Sequence, residues 1–312
     1  MSSLSKALRD YLRLRRGLGF TLQQDGNALA DFVKFLDRQG ATYITTELAL
    51  RWATQPIHAQ PGHRAHRLSM VRLFAQYRSA SDTRTEIPPA RLLPSGYRRK
   101  TPYLYSDKEI NELMSRARRL PSDIGLRPHT YATLLGLLTV TGMRLGEALA
   151  LDRDDVDLSE GVIKVRNAKH GKSRLVPVHE STRQALGNYM HRRDQLLRSV
   201  GTPACLVSDA GNRITKWAAR ETFVRLSREI GLRGPQGRWG HGPRLHDLRH
   251  RFAATTLLRW YRAGLDAERH MSRLSTYLGH THVTDTYWYI SAVPELLRLA
   301  SQRLERPMEN ER

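Results

Sequence analysis

Between Thr83 and Tyr105 the apolar residues lose all helical spacing, and Pro88, Pro89, Pro94, Gly96 and Pro102 fall in that one stretch. Proline fixes φ and has no amide proton to donate, so neither a helix nor a sheet ladder runs through such a segment. A chain interrupted there has to fold as two bodies, one on each side. Its 312 residues agree with a prior of roughly 150 residues per domain and leave ample length for a sizeable core. The expected organisation is an N-terminal helical domain over residues 1–82, a basic proline-rich linker over 83–105, and a C-terminal domain over 106–312.

Periodicity then sets the fold class, mainly α with a small antiparallel β-sheet. The N-terminal part reads as four short helices. Leu4, Leu8, Tyr11, Leu12 and Leu18 lie near helical spacing in the first, and Leu29, Phe32, Val33 and Leu36 in the second, which stops at Gly40. Thr46 and Glu47 start a third that ends before Pro56. The fourth runs from Pro61 to Ser79, with Leu68, Val71, Phe74 and Tyr77 inward and Arg64, Arg67, Arg72 and Arg78 available outward. The C-terminal domain opens at Ser106, which can cap a helix with Glu109 three residues on. Tyr131–Val140 reads as a buried helix. Residues 161–165 and 173–178 read as two strands joined by a turn around His170-Gly171. Helical patterns return over 180–200, 215–230, 246–263, 267–278 and 292–305.

Charge narrows the function. Lys and Arg total 51 against 30 Asp and Glu, a formal +21. Solubility needs far less, so a polyanionic partner, nucleic acid, is the favoured explanation. A single cysteine, Cys205, excludes a disulfide framework and a cysteine-based zinc site, and no histidine pairs with carboxylates at ligand spacing. The apolar run Leu134–Val140 is too short to cross a bilayer. No charged-then-apolar signal segment opens the chain, which fits a reducing, cytoplasmic location.

Five short passages carry the chemistry. Thr141-Gly-Met-Arg-Leu-Gly-Glu places Arg144 and Glu147 three apart at a helix start, and Asn167-Ala-Lys-His-Gly-Lys-Ser-Arg puts Lys169 and Lys172 in a hairpin. His246-Asp-Leu-Arg-His sets His246 and Arg249 on one helical face. Leu278-Gly279-His280 follows, and then Tyr289 within Thr286-Tyr-Trp-Tyr-Ile. Singly each is weak, since an arginine beside a glutamate or a lone histidine is often structural. In this order they resemble the tyrosine recombinases, the phage-integrase family, over essentially the whole chain.

The resemblance implies a helical core-DNA-binding domain, a linker and a catalytic domain. It makes Arg144 and Arg249 the catalytic arginines and Glu147 the acid that orients the first of them. Lys169 matches the catalytic lysine, His246 the histidine of the His-x-x-Arg box, His280 the His-or-Trp position, and Tyr289, rather than Tyr287, the nucleophile. It further implies specific recombination sites on double-stranded DNA as partner, four protomers on two sites (with related recombinases as an option), a Holliday-junction intermediate, and neither metal nor other cofactor. Arg64, Arg67, Arg72, Arg98, Arg99, Lys100, Lys172 and Arg174 are the expected DNA contacts. The opening Tyr11-Leu-Arg-Leu-Arg-Arg-Gly-Leu-Gly-Phe brings transposon-borne members to mind. Type IB topoisomerases and a non-catalytic DNA-binding module of the same fold are the alternatives.

The inventory also makes chemical sense. A phenol can keep a phosphate as a covalent ester. Two permanently charged, fork-shaped guanidiniums suit the non-bridging oxygens, a lysine can protonate the departing 5′ oxygen, and His246 can accept or position the phenolic proton. Two stretches depart from the compact family pattern: a longer segment between Arg249 and His280, and the glycine-rich Arg233–Gly242. After Tyr289, Pro294 suits the first turn of a last helix, with Leu296, Leu297, Ala300 and Leu304 as its apolar stripe. Family resemblance implies that this helix packs into a neighbouring protomer; docking on its own domain is the alternative.

Overall fold

The computed structural model describes residues 2–94, 101–166, 173–197, 201–234 and 242–304. Two compact units are formed, Met1–Lys100 and Thr101–Arg312.

The described residues of the first unit form four helices: α1 (Ser3–Gly17), α2 (Gln23–Arg38), α3 (Thr46–Thr54) and α4 (Pro61–Ser79). Side chains start two of them. Ser2 accepts from the Ser5 amide before α1, and Thr45, one residue ahead of the expected start, accepts from Leu48 before α3. Pro61 occupies the first turn of α4, where its missing amide proton costs nothing. Leu4, Leu8 and Tyr11 meet Leu29, Phe32, Leu36, Trp52, Val71 and Phe74 in one core. Leu18 departs from its expected inward place; it follows the end of α1 and is 65% exposed. Residues 83–94 carry no helix or strand, yet Thr85 is buried, and Glu86 donates its amide to the Ile44 carbonyl while its carboxylate accepts from the Thr46 amide.

The second unit begins with α5 (Asp107–Ala117), closed by a reciprocal cap between Ser106 and Glu109. Then come α6 (Arg127–Thr141), the short α7 (Leu145–Ala150), and a three-stranded antiparallel sheet in the order β1 (Val156–Asp157), β2 (Val162–Val165), β3 (Arg174–Pro177). Ile163 pairs with Val156 on one side and Val176 on the other, and these three face the core. The expected turn at His170-Gly171 lies outside the described residues.

Among the described residues six helices complete the unit: α8 (Glu180–Leu196), α9 (Lys216–Glu229), α10 (Leu245–Arg262), α11 (Ala267–Leu278), α12 (Thr284–Ala292) and α13 (Pro294–Leu304). Ala253 and Leu257 of α10, Leu274 and Leu278 of α11, Tyr289 of α12 and Leu296 of α13 share one apolar cluster. The last helix therefore docks on its own unit, against α10 and α12, with Leu296 fully buried and an Arg262–Glu295 ion pair at 2.6 Å beside it. Leu297, expected in the same stripe, is 54% exposed, because residue 297 lies a helical step of about 100° round from Leu296. Among the described residues no helix is long and apolar enough to cross a membrane.

Candidate active site

α6 ends at Gly142, which adopts φ +60°. A Cβ there would come within 2.6 Å of the Phe252 ring, so both the turn and the packing call for glycine. That turn delivers Arg144 to the N-cap of α7. The Glu147 carboxylate reaches back to the Arg144 amide at 3.0 Å and accepts from its Nη1 at 2.8 Å. The same carboxylate takes two bonds from Arg174 at the start of β3, at 3.1 and 2.7 Å. Burial alone would raise the Glu147 pKa, but bonds and charge from Arg174, then from Arg144, outweigh it and hold the carboxyl at about 2.

The C-terminal end of α11 gathers the cations. Arg174 donates Nε to the Tyr277 carbonyl at 2.8 Å, Arg249 donates Nη2 to Leu278 at 2.6 Å, and Arg144 donates Nη2 to Gly279 at 2.9 Å. These carbonyls belong to the orphan set at a helix C-terminus, where the dipole is negative. Three like charges are thus held close by a helix end and one carboxylate. Gly279 caps α11 at φ +67°, and a Cβ on it would lie 2.8 Å from Nη1 of Arg174. Arg249 also donates Nη1 to the Gly142 carbonyl at 2.8 Å. Burial first, then repulsion from Arg144, lowers its pKa to about 10, which leaves it fully charged at neutral pH.

α10 carries the histidines beside Arg249. His246 and His250, one turn apart, meet edge to face with ring centres 4.7 Å apart. His246 is exposed. Partial loss of hydration and then the guanidiniums of Arg249 and Arg244 lower it to about 4. His250 is buried; desolvation and then His246 push it to about 3, so it is neutral in ordinary buffers. Its Nδ1 lies 2.8 Å from the Tyr289 hydroxyl, and Tyr289 is only 1% exposed. His280 Nδ1 lies 2.7 Å from the hydroxyl of buried Thr286.

Arg144, Glu147 and Arg249 thus converge as expected from the motifs, with His246, His280 and Tyr289 on the elements that bound them. His250, which lies against the Tyr289 hydroxyl, was not among the expected site residues. The signal was present in His246-Asp-Leu-Arg-His, since the second histidine is four residues from the first and shares its face.

Three expected DNA contacts point elsewhere. Arg174 is held by Glu147 and Tyr277, with its side chain 10% exposed. Arg64 folds onto the carbonyls of Pro56 and Ile57. Arg67 donates to the Trp52 carbonyl and lies 3.6 Å over the Trp52 ring. In each case, carbonyls, a carboxylate or an aromatic face within the fold offers the guanidinium a partner. Arg72 is half-buried. Lys169, Lys172, Arg98, Arg99 and Lys100 lie outside the described residues.

The site is a group of arginines gathered at the end of α11, beside a buried tyrosine and two histidines. Residues 104–295 match the phage integrase family, and the chain belongs to that family, the tyrosine site-specific recombinases. It is 49% identical to the Sinorhizobium fredii protein y4rB, named as an integrase/recombinase, over 99% of both chains. It is 30% identical to the tyrosine recombinase XerD of Mycobacterium tuberculosis, over 96% of this chain and 88% of that one. Among solved structures it resembles the Tn1549 transposon integrase in complex with circular intermediate DNA. The TM-score is 0.65 at 18% identity, covering 96% of this chain and 99% of that one.

Proposed function

We propose that the chain cuts and rejoins double-stranded DNA at specific sites through a 3′-phosphotyrosyl intermediate, with Tyr289 as nucleophile. The phenolic oxygen forms a bond to the scissile phosphorus while the bond to the 5′ oxygen breaks. Arg144 and Arg249 hold the non-bridging oxygens, where negative charge builds. Lys169 gives its proton to the 5′ oxygen, and His246 receives or steers the proton leaving the phenol. His280 contributes from the N-terminal side of α12. Attack by the 5′ hydroxyl of another strand reverses the step and joins the new pair, so the energy of the ester is conserved without a nucleotide or metal.

Repetition on the second strand passes through a Holliday junction, on two DNA sites held by four protomers. Such a substrate places the enzyme in the cytoplasm with the nucleoid. The linker cations Arg98, Arg99 and Lys100, together with Lys172 of the hairpin, are assigned to DNA phosphates.

The observation that carries this reading is the convergence of Arg144 and Arg249 on the end of α11, one loop before the helix that bears Tyr289. Because Tyr289 is buried, it must leave His250 before it can meet a phosphate. The test is to incubate the chain with fragmented DNA carrying nicks, trap covalent adducts, sequence the DNA and map the modified peptide. A phosphotyrosyl peptide at Tyr289 with a recurring DNA sequence is expected. A peptide mapping to Tyr287, or no adduct at any sequence, overturns the assignment.

A further inference from the structure

Arg174 has no role in the chemistry just described, yet it is the more deeply enclosed of the two arginines on Glu147. Its side chain is 10% exposed, against 27% for Arg144. All three of its donor nitrogens are placed: two on the Glu147 carboxylate and Nε on the Tyr277 carbonyl. A guanidinium so committed cannot reach out to DNA without abandoning a buried carboxylate, which is strongly unfavourable. What it does instead follows from counting charge.

Glu147 is ionised and shared by two guanidiniums. Arg144, Arg174 and Glu147 together carry a single net positive charge. Without Arg174, the carboxylate would sit on Arg144 alone and cancel it, and the more open of the two cations would present a neutral pair to an incoming phosphate. A second effect is geometric. Tyr277 is held by Arg174 one residue before the Leu278 carbonyl that holds Arg249 and two before the Gly279 carbonyl that holds Arg144. Loosening the first contact therefore loosens the frame of the other two.

We propose that Arg174 is a positioning residue of the recombination reaction: by sharing Glu147 it keeps Arg144 a net cation toward the scissile phosphate, and through Tyr277 it fixes the α11 end that orients Arg144 and Arg249. The proposal rests on the assignment of Arg144 to the phosphate, and the experiment separates the two. It uses the full-length chain and the DNA site recovered by covalent trapping, nicked so that the adduct accumulates. The scissile phosphate is either native or a neutral methylphosphonate. Adduct rate at saturating protein, site affinity and melting temperature are measured for Arg174→Gln, Arg174→Lys, Arg144→Ala and the double variant Arg174→Gln/Glu147→Gln.

Arg174→Gln should slow adduct formation on the order of ten- to hundredfold, a loss at or below that of one oxyanion donor, with site affinity within about twofold. Arg174→Lys, which keeps the charge but not the fork, should lose less. Removing the carboxylate as well should recover the electrostatic part of the deficit, several-fold, because Arg144 is then no longer neutralised, while the part lost through Tyr277 remains. The methylphosphonate should shrink the Gln deficit, since a neutral phosphate asks less of Arg144. A merely structural arginine would give a double variant at least as slow as the single, and a deficit that ignores phosphate charge. Either result overturns the proposal, as does wild-type cleavage by Arg174→Gln. If Arg174→Gln does not fold, Arg174→Lys on the two phosphates decides by the same criterion. Wild-type cleavage by Arg144→Ala would instead overturn the underlying assignment of Arg144.

Discussion

Replacing Tyr289 by Phe removes the proposed nucleophile, but it should also weaken the fold. The hydroxyl lies 2.8 Å from Nδ1 of His250, with both side chains buried. His250 is neutral, so in the tautomer protonated at Nε2 it accepts the phenol's hydrogen at Nδ1. Deleting that hydrogen leaves a ring nitrogen desolvated and unpaired, a penalty of about 1–3 kcal/mol. The phenol's own desolvation is relieved in the variant, so the lower half of that range, about 1–2 kcal/mol, is expected. For a unit of this size that is a fall in melting temperature of roughly 2–8 °C. Circular-dichroism melts of the full chain, paired with trapping on the nicked site, should show no adduct, near-normal DNA binding and the lowered midpoint. A double-mutant cycle with His250→Phe should return a coupling of about 1 kcal/mol. A Phe variant that melts at or above the parent temperature would refute the reasoning, because the bond would then contribute nothing.

Acid should destabilise the second unit well above the usual carboxylate range. His250 at about 3 and His246 at about 4 both lie below the ordinary histidine value, so unfolding takes up protons as pH falls below about 6.5. Stability is complete above that pH and declines toward the folded-state values, at about 1.4 kcal/mol per pH unit for His250. Urea midpoints that stay flat between pH 6.5 and 5 would contradict this. Gly279→Ala should cost roughly 1–2 kcal/mol from its positive φ and more from contact with Arg174, with a larger fractional loss in adduct rate than in folded population. Leu296→Ala should cost about 2–5 kcal/mol, readable by urea denaturation, since Leu296 is fully buried. Site binding should fall steeply and linearly on a log–log plot against salt, with a slope near −0.9 per phosphate neutralised; a flat plot would remove the phosphate-contact account of the positive charge.

Local signals made the helices legible. Ser106 and Glu109 announce α5 through a cap that needs no tertiary context, and Pro61 fixes the start of α4. β1 was missed because two residues, Val156 and Asp157, carry no period and become a strand only by pairing with β2. α12 was missed for a related reason. Its apolar and aromatic residues fall on all sides, and no side chain caps its start. In the site, Arg144, Arg249 and Tyr289 could be found because sequence motifs surround them. Arg174 could not be placed, since its partners Glu147 and Tyr277 lie 27 and 103 residues away. Arg64 and Arg67 show a limit of the helical wheel. It tells which way a Cα–Cβ bond leaves the helix, but a long side chain can curl back to a carbonyl or ring of the preceding segment.

The close of α11 has one more consequence. Its last carbonyls act as a resident counter-ion, present before any DNA arrives. Ordering three long cationic side chains costs rotamer entropy, and here that cost falls within folding, before any ligand is bound. The same economy makes failure collective. A change that unwinds the final turn of α11 would release Arg144, Arg174 and Arg249 together, and their mutual repulsion, no longer opposed by the helix end, would drive them apart. Damage at residues 277–279 should therefore switch the site off abruptly instead of dimming it in steps, although none of these three residues need touch DNA.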